Sequence, residues 1–317
     1  MGFTVEKSGL LTTIQDSGRI GYRSIGMPVS GPMDDKAFRI ANLLVGNNEG
    51  QEAIEVTLQG PVLHFTSDTT IAISGADLNP TINHERVLNN KPLHIHKGDV
   101  LRFGMASKGM RAYIAFKDGL RVAKSLGSIS TNTLARIGGF EGRALKAGDK
   151  IALNTEGHTE KKVHWSLSPT AFSYLQKNEV RIIRSNQWDW FTGEAKRNFL
   201  SERFTIKPES DRMGYRLSGP ALTLKQPKEL LTEGTTMGSI QVPSSGQPIV
   251  LMADSQPTGG YPKIASVITA DLPIIAQLKP NEELSFKEVT LTEAHKALRE
   301  TEAEMKLVKA AITMKNG

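Results

Sequence analysis

The sequence predicts a mainly β protein with a few helices, arranged as two β-barrel-like domains and a C-terminal helix. Three observations support this prediction. Glycine (29) and proline (15) are frequent among the 317 residues and show no collagen-like period, which indicates many turns between short elements. Several short runs alternate apolar and polar residues, as strands do. A seven-residue segment also recurs once in each half of the chain.

The first half contains strands and one helix. In EAIEVTLQGPVLHF, Ile54 and Val56 share one face while Glu55 and Thr57 share the other, which predicts a half-buried strand. TIAIS and MRAYIAF repeat this alternation. From Met33 to Val45 the apolar residues recur at helical spacing and Gly46 follows, so this segment is predicted as a helix. Its N-cap is either Ser30 or Asp34.

The chain divides near residues 155–170, where a polar segment without periodicity is predicted to be a linker. We therefore expect one domain over 1–160, a second over 161–290 and a helix over 291–317. In the second half, Ser168-Pro169 and Thr192 each begin a predicted helix. The last helix starts near Thr292 and carries an apolar stripe, which either packs on its own barrel or binds a partner.

The recurring segment is SGRIGYR at 17–23 and SDRMGYR at 210–216. The two copies lie 193 residues apart and five of their seven positions are identical. Two domains with similar closing turns would explain the repeat.

Composition excludes several classes of chemistry. The chain has no cysteine, so disulfides, thiolate metal sites and a cysteine nucleophile are absent. The net charge of +6 is spread along the sequence without a basic and aromatic stripe, which argues against nucleic acid binding. The sequence has neither a signal peptide nor a long apolar run, so we expect a cytoplasmic protein without membrane contact.

No common catalytic motif occurs. The sequence lacks the phosphate-binding loop, the dinucleotide fingerprint, the nucleophile elbow and the zincin motif. His94 and His96 are two residues apart on a predicted strand, but no third ligand follows at a suitable spacing. We therefore expect no metal site.

Three polar clusters are candidate binding sites. Gly259-Gly260 could turn its amides toward an anion, and Asp254 and Gln256 would share a face if extended; the alternative is an ordinary tight turn. The groups Asp16 with Arg19 and Arg23, and Asp211 with Arg212 and Arg216, could grip a carboxylate or could simply hold loops. The turn from Ser30 to Asp34 could attract an anion, unless Asp34 is only a helix cap.

These motifs resemble a known family. Gln15-Asp16-Ser17-Gly18-Arg19, Ser30-Gly31-Pro32-Met33-Asp34, Gln241-Val242-Pro243 and Thr258-Gly259-Gly260-Tyr261-Pro262 occur in the order seen in carboxyltransferase domains of subdomain A/B type. That family includes the C subunit of 5-oxoprolinase, the second subunit of allophanate hydrolase and the antagonist of a sporulation-kinase inhibitor. The resemblance covers residues 3 to about 290.

The resemblance implies two cyclophilin-like β-barrel domains and a heteromeric enzyme. Together with the A and B subunits of 5-oxoprolinase, this chain would hydrolyse 5-oxo-L-proline to L-glutamate at the expense of ATP. The resemblance leaves open which of the chains binds ATP. Two alternatives remain. One is a non-catalytic antagonist of a kinase inhibitor that resembles the B subunit. The other is the carboxyltransferase component of a biotin-dependent urea or amide carboxylase, with biotin supplied by another chain.

The resemblance also implies a site formed with the B partner. We expect Asp254, Arg212 and Gln241 to be catalytic, with Asp254 transferring a proton. The residues expected to bind a small substrate are Asp16, Arg19, Ser30, Asp34, Glu55, Gln256, Thr258, Gly259, Gly260 and Tyr261. The sequence departs from the family in three candidate loops, at Pro257, at 185–187 and at 117–119.

Overall fold

The structure is a computed structural model that describes residues 2–154, 165–226, 228 and 230–316. These residues form two compact units. The first contains residues 1–20, 30–175 and 305–317, and the second contains 21–29 and 176–304. Most of the predicted linker, residues 155–164, lies outside the described residues. The predicted division at residue 160 stays a prediction.

The first unit contains eleven strands and the helix α1 among its described residues. In chain order they are β1 (Gly2–Lys7), β2 (Leu11–Gln15), α1 (Asp35–Leu44), β3 (Ala53–Thr57), β4 (Val62–Phe65), β5 (Thr69–Asp77), β6 (Thr81–Ile82), β7 (Glu85–Arg86), β8 (Pro92–Ile95), β9 (Val100–Arg102), β10 (Lys108–Phe116) and β11 (Lys150–Ala152). A 3-10 segment, Pro169–Gln176, follows Ser168, where the sequence predicts a helix.

These strands form two sheets around one core. The order is β11-β1-β4-β9-β6-β7 in one sheet and β2-β3-β10-β5-β8 in the other. Phe3 and Phe65 from the first sheet meet Phe116 from the second, and the rings of Phe3 and Phe116 stack at 5.1 Å. Burial of such aromatic side chains supplies much of the hydrophobic stabilisation of the unit.

Helix α1 covers the five-stranded sheet, packing on β3, β5 and β10. Both faces of β3 are therefore buried, and Glu55 and Thr57 are only 1% and 4% exposed. The prediction of a half-buried β3 is wrong because a helix, rather than water, covers the second face. The helix itself is confirmed. Its N-cap is Asp34, whose Oδ1 accepts from Ala37 N at 3.0 Å, and Gly46 follows with φ +82°.

The second unit contains nine strands and the helices α2 and α3 among its described residues, and it ends within helix α4. In chain order these elements are β12 (Glu179–Arg184), α2 (Gly193–Ser201), β13 (Phe204–Ile206), β14 (Gly214–Ser218), β15 (Glu233–Gly234), β16 (Ser239–Gln241), β17 (Ile249–Leu251), β18 (Thr258–Gly259), β19 (Lys263–Val267), α3 (Leu272–Gln277), β20 (Glu283–Glu288) and α4 (Leu291–Asn316).

Seven of these strands close a barrel in the order β12-β19-β16-β17-β14-β13-β20, and β15 pairs with β18 as a separate two-stranded ribbon. The barrel is filled by apolar side chains, and Phe286 of β20 stacks on Phe199 of α2 at 4.6 Å. The predicted start of α2 is confirmed, since Thr192 Oγ1 accepts from Ala195 N. The fold is therefore mainly β with few helices, as predicted.

Helix α4 packs through the predicted apolar stripe. Ala294, Met305, Val308 and Ile312 are buried, whereas Leu307 and Met314 are exposed. Residues from Met305 onward belong to the first unit. Within the described ranges, no helix is both long enough and apolar enough to span a membrane.

The sequence repeat does not correspond to a structural repeat. Residues 17–23 form a loop that runs into a short 3-10 segment, Arg23–Ile25. In the second copy, Gly214 and Tyr215 instead enter strand β14. The interpretation as two equivalent closing turns is wrong, because the neighbouring strands recruit one copy into the barrel and not the other.

Candidate functional site

In the first unit, Asp16 lies directly after β2 in a buried pocket of hydrogen-bond donors. Its Oδ1 accepts from Ser128 Oγ at 2.6 Å, Ser130 Oγ at 2.6 Å and Gly18 N at 3.0 Å, and its Oδ2 accepts from Ile129 N at 2.7 Å. Burial raises the pKa of Asp16, but the hydrogen bonds outweigh this effect and the net pKa is lowered. Asp16 is thus a carboxylate that holds the loop around residue 129.

Arg19 supports the same loop. Its Nε donates to Ser125 O at 3.1 Å and one terminal nitrogen donates to Ser130 O at 2.8 Å, while the side chain is 1% exposed. Ser30 accepts from Asn132 Nδ2 at 3.2 Å and adopts φ 60°. The structure therefore brings Asp16, Arg19 and Ser30 onto one loop region, in roles that order the backbone.

Asp34 and Glu55 belong to a second buried network in this unit. Tyr113 donates to Glu55 Oε2 at 2.7 Å and accepts from Asp34 N at 2.8 Å, and Tyr174 donates to Asp34 Oδ2 at 2.6 Å. Glu55 Oε2 also accepts from Met33 N at 2.9 Å. This network fixes the turn ahead of α1. Burial raises the pKa of Tyr113 well above its usual value, and the nearby charges of Glu55 and Asp34 raise it further.

A cleft of about 660 Å³ opens in the first unit. Its lining includes Asp16 and Glu52, together with the exposed cations Arg121 and Lys124. Glu52 Oε1 accepts from Leu120 N at 2.6 Å, so this carboxylate is already engaged. Two carboxylates and two cations thus line this cleft, so its lining carries no net formal charge.

In the second unit, Arg212 and Asp254 form a bidentate ion pair. Arg212 Nε lies 2.8 Å from Asp254 Oδ2 and a terminal nitrogen lies 3.1 Å from Oδ1, with both residues nearly buried. Asp254 N also donates to Arg212 O at 2.8 Å. Asp254 occupies a turn after β17 rather than a strand, and Gln256 is exposed. The expectation that these two side chains share a strand face is wrong, because β17 ends at Leu251.

Gln241 ends strand β16 and is 4% exposed. Its Nε2 is buried and has no hydrogen-bond partner in the described part of the chain. Gly259 lies directly over this atom, since a Cβ built on Gly259 would stand 2.4 Å from it. Gly259 belongs to β18, and neither it nor Gly260 adopts the left-handed region. The glycine at 259 is therefore needed for close approach, not for a left-handed turn.

Sequence reasoning missed a polar cluster beside Gln241. Lys263 Nζ donates to Glu233 Oε2 at 2.8 Å and to Gly234 O at 3.1 Å, and Gln187 Nε2 donates to the same carboxylate at 3.1 and 3.3 Å. The hydrogen bond from Lys263 lowers the pKa of the Glu233 carboxyl, and the positive charge of Lys263 lowers it further. Glu233 lies 46 residues from Gln187 and 30 from Lys263, so no local spacing marks the cluster.

The remaining predicted residues are at the surface. Gln256, Thr258, Gly260 and Tyr261 are exposed, and Gly260 and Tyr261 line a cavity of about 820 Å³ in the second unit. Among the described residues, no group of three or more His, Asp or Glu side chains is placed to hold a metal ion.

Comparisons with known proteins agree on one family. Residues 25–288 match the family described as carboxyltransferase domain, subdomain A and B. The chain is 37% identical over 310 residues to the C subunit of 5-oxoprolinase from Haemophilus influenzae, covering 96% of both chains. It is 36% identical over 297 residues to the C subunit of 5-oxoprolinase from Escherichia coli, covering 92% of both.

A solved structure shows the same fold. The crystal structure of the Kluyveromyces lactis urea carboxylase superposes with a TM-score of 0.91 at 30% sequence identity. The match covers 97% of this chain but 29% of the urea carboxylase chain, so this chain corresponds to less than a third of that protein.

Proposed function

Because the chain belongs to the family of carboxyltransferase domains with subdomains A and B, we propose that it is one component of an ATP-dependent, heteromeric 5-oxoprolinase. One observation carries the proposal. The chain aligns along 96% of its length, and 96% of the relative's, with a protein named as the C subunit of 5-oxoprolinase. In the proposal it acts with the A and B subunits, opening the lactam of 5-oxo-L-proline to give L-glutamate.

Lactam cleavage needs a donor that polarises the carbonyl group and a group that moves a proton. We assign the donor role to Gln241, whose buried amide nitrogen lacks a partner among the described residues. Arg212 and Asp254 act as one unit, since each carboxylate oxygen of Asp254 already accepts from Arg212. In this proposal Asp254 takes up a proton only when substrate or the B partner draws Arg212 away.

ATP enters the proposal at the level of the complex. In the first-unit cleft, Arg121 and Lys124 are the side chains that would contact phosphates, but the carboxylates of Asp16 and Glu52 line the same cleft and balance their charge. The described residues that line it include no aromatic ring to stack on adenine. We therefore propose that another chain of the complex supplies most of the nucleotide contacts, and that any biotin also arrives on another chain.

The experiment is reconstitution. The chain is co-expressed with the A and B subunits, and glutamate release from 5-oxo-L-proline is measured with and without ATP. We expect turnover only when all three chains and ATP are present. Assembly with the B partner but no turnover on any amide would favour the antagonist function instead.

A second function is supported by the urea carboxylase structure. If the chain is the carboxyltransferase component of such an enzyme, urea and a carboxylated biotin carrier will give a carboxylated product without 5-oxoproline turnover. The same reconstituted sample, given each substrate in turn, separates the two functions.

A further inference from the structure

Two buried amide atoms of the second unit have no hydrogen-bond partner within the described ranges. One is a donor, Gln241 Nε2, and the other is an acceptor, Gln187 Oε1. Their residues are 4% and 3% exposed. A buried polar atom without a hydrogen-bond partner costs free energy of folding, so its presence needs an explanation. A bound ligand that supplies the missing hydrogen bonds is one such explanation.

The two glutamines belong to one connected cluster. Gln187 Nε2 donates to Glu233, and because a carboxylate only accepts, Glu233 leaves Gln187 Oε1 without a donor. Glu233 pairs with Gly259 in the β15–β18 ribbon, and Gly259 lies over Gln241 Nε2. Gln241 in turn pairs with Lys263, which donates to Glu233.

A lactam matches this pair of atoms chemically. In a ring amide the carbonyl oxygen and the N–H lie on the same edge, so a protein recognises that edge with one donor and one acceptor. Urea carries the same two groups on one edge. We propose that Gln241 Nε2 and Gln187 Oε1 form the subsite for this amide edge, with Gln241 donating to the carbonyl and Gln187 accepting from the N–H.

This inference rests on the proposed function for the identity of the amide, 5-oxoproline rather than urea. Entry requires movement of the ribbon, because both atoms are shielded from solvent. The ribbon is held at its base by Arg23, whose guanidinium donates to Thr235 O and, at 3.4 Å, to Pro257 O. Lys263 also holds strand β15, through its hydrogen bond to Glu233.

The first test uses Gln241→Met, which keeps the side-chain length and removes the donor. Calorimetry is done on the full chain in complex with its co-expressed partners, without ATP, using 5-oxo-L-proline and, separately, urea. We expect binding of the preferred amide to weaken at least tenfold while the melting temperature rises, because an unsatisfied donor has been removed. A purely structural glutamine would not produce this opposite pair of changes.

Gln247→Met is the matched control. Gln247 exchanges hydrogen bonds with Gly219 through both ends of its amide, at 3.0 and 3.1 Å. Its replacement should lower the melting temperature and leave amide binding unchanged.

The second test examines the acceptor. Wild-type complex should bind N-methyl-5-oxoproline at least tenfold more weakly than 5-oxoproline, since the methyl group replaces the hydrogen that Gln187 accepts. Gln187→Met should reduce this preference to less than about threefold. The ratio of the two affinities does not depend on a general loss of stability.

The outcomes separate the subsite from the function. Unchanged amide affinity in Gln241→Met, or no amide binding in the wild-type complex, overturns the subsite even if glutamate release is normal. Weakened urea binding in Gln241→Met with no 5-oxoproline turnover by the wild-type complex supports the subsite and overturns the 5-oxoprolinase function.

Discussion

Arg212 and Asp254 form a bidentate ion pair: Arg212 Nε donates to Asp254 Oδ2 at 2.8 Å, and a terminal nitrogen of Arg212 donates to Oδ1 at 3.1 Å. The residues are only 5% and 6% exposed. A buried pair of this kind contributes little net stability compared with apolar side chains, but each partner depends strongly on the other. The pair therefore links the stability of the barrel to the proposed chemistry.

Asp254→Ala should lower the free energy of unfolding by about 3–5 kcal/mol, because it leaves the Arg212 charge buried without its carboxylate. Urea denaturation measures this loss. Replacing both residues by leucine should recover much of it. Asp189→Ala, which breaks the exposed pair with Lys196, is the control and should change little. Unchanged glutamate release in both Asp254→Ala and Arg212→Ala would contradict the assigned site.

Asp16→Asn tests the buried carboxylate of the first unit. Its folded-state pKa is lowered, so the stability it contributes is present above the unfolded pKa of about 3.9 and is lost as pH falls through the folded pKa. At neutral pH the variant should be less stable by about 1.5–3 kcal/mol. Denaturation curves at several pH values should show that the difference in the free energy of unfolding between wild type and variant narrows below about pH 4. A gap that widens in acid would contradict the assignment.

Tyr113→Phe tests the network around Glu55 and Asp34. It removes the donor to Glu55 and the acceptor for Asp34 N, at an expected cost of about 1–3 kcal/mol near neutral pH. The folded-state pKa of Tyr113 is raised, so its contribution is present below about pH 10 and declines as pH rises toward that folded value. The stability gap to wild type should therefore shrink in alkali. The half-exposed Tyr22, changed to Phe, serves as control.

Gly259→Ala tests the close approach above Gln241. The new Cβ would stand 2.4 Å from Gln241 Nε2, so the amide or the ribbon must shift, at about 1–3 kcal/mol. Glutamate release should also fall, because the shift displaces the amide of Gln241 or the ribbon above it. The neighbouring Gly260→Ala is the matched control, because its nearest contact, Leu230 O, would be at an ordinary 3.7 Å. Equal effects of the two substitutions on stability and turnover would remove the special role of Gly259.

Local signals in the sequence predicted local structure well. The Asp34 cap and the Thr192 cap depend on side chains bonding three residues ahead, and both caps are present. The two faces of β3 could not be predicted from alternation, because Glu55 is buried by partners that lie 22 and 58 residues away. Alternation with a period of two shows which residues of a strand are polar. It does not show that a polar residue is exposed, because a hydrogen-bonded network can bury that residue.

The candidate site could be predicted only in part. Asp254, Arg212 and Gln241 lie in motifs that can be read along the chain, whereas Gln187, Glu233 and Lys263 meet only through strand pairing and a ribbon. The repeated segment misled for a related reason. Its identical residues take different local structures because one copy is drawn into the barrel as β14 and the other is not.

The division of the chain between the two units has a consequence for synthesis on the ribosome. The first unit needs residues from Met305 to the end, and the second needs residues 21–29 from near the beginning. Domains usually fold in order as they emerge, N-terminal first. Here the first unit cannot acquire Met305, Val308 and Ile312 until all residues of the second unit have been synthesised. Completion of the first unit therefore waits for synthesis of the second, and neither unit can be obtained whole by cutting the chain once.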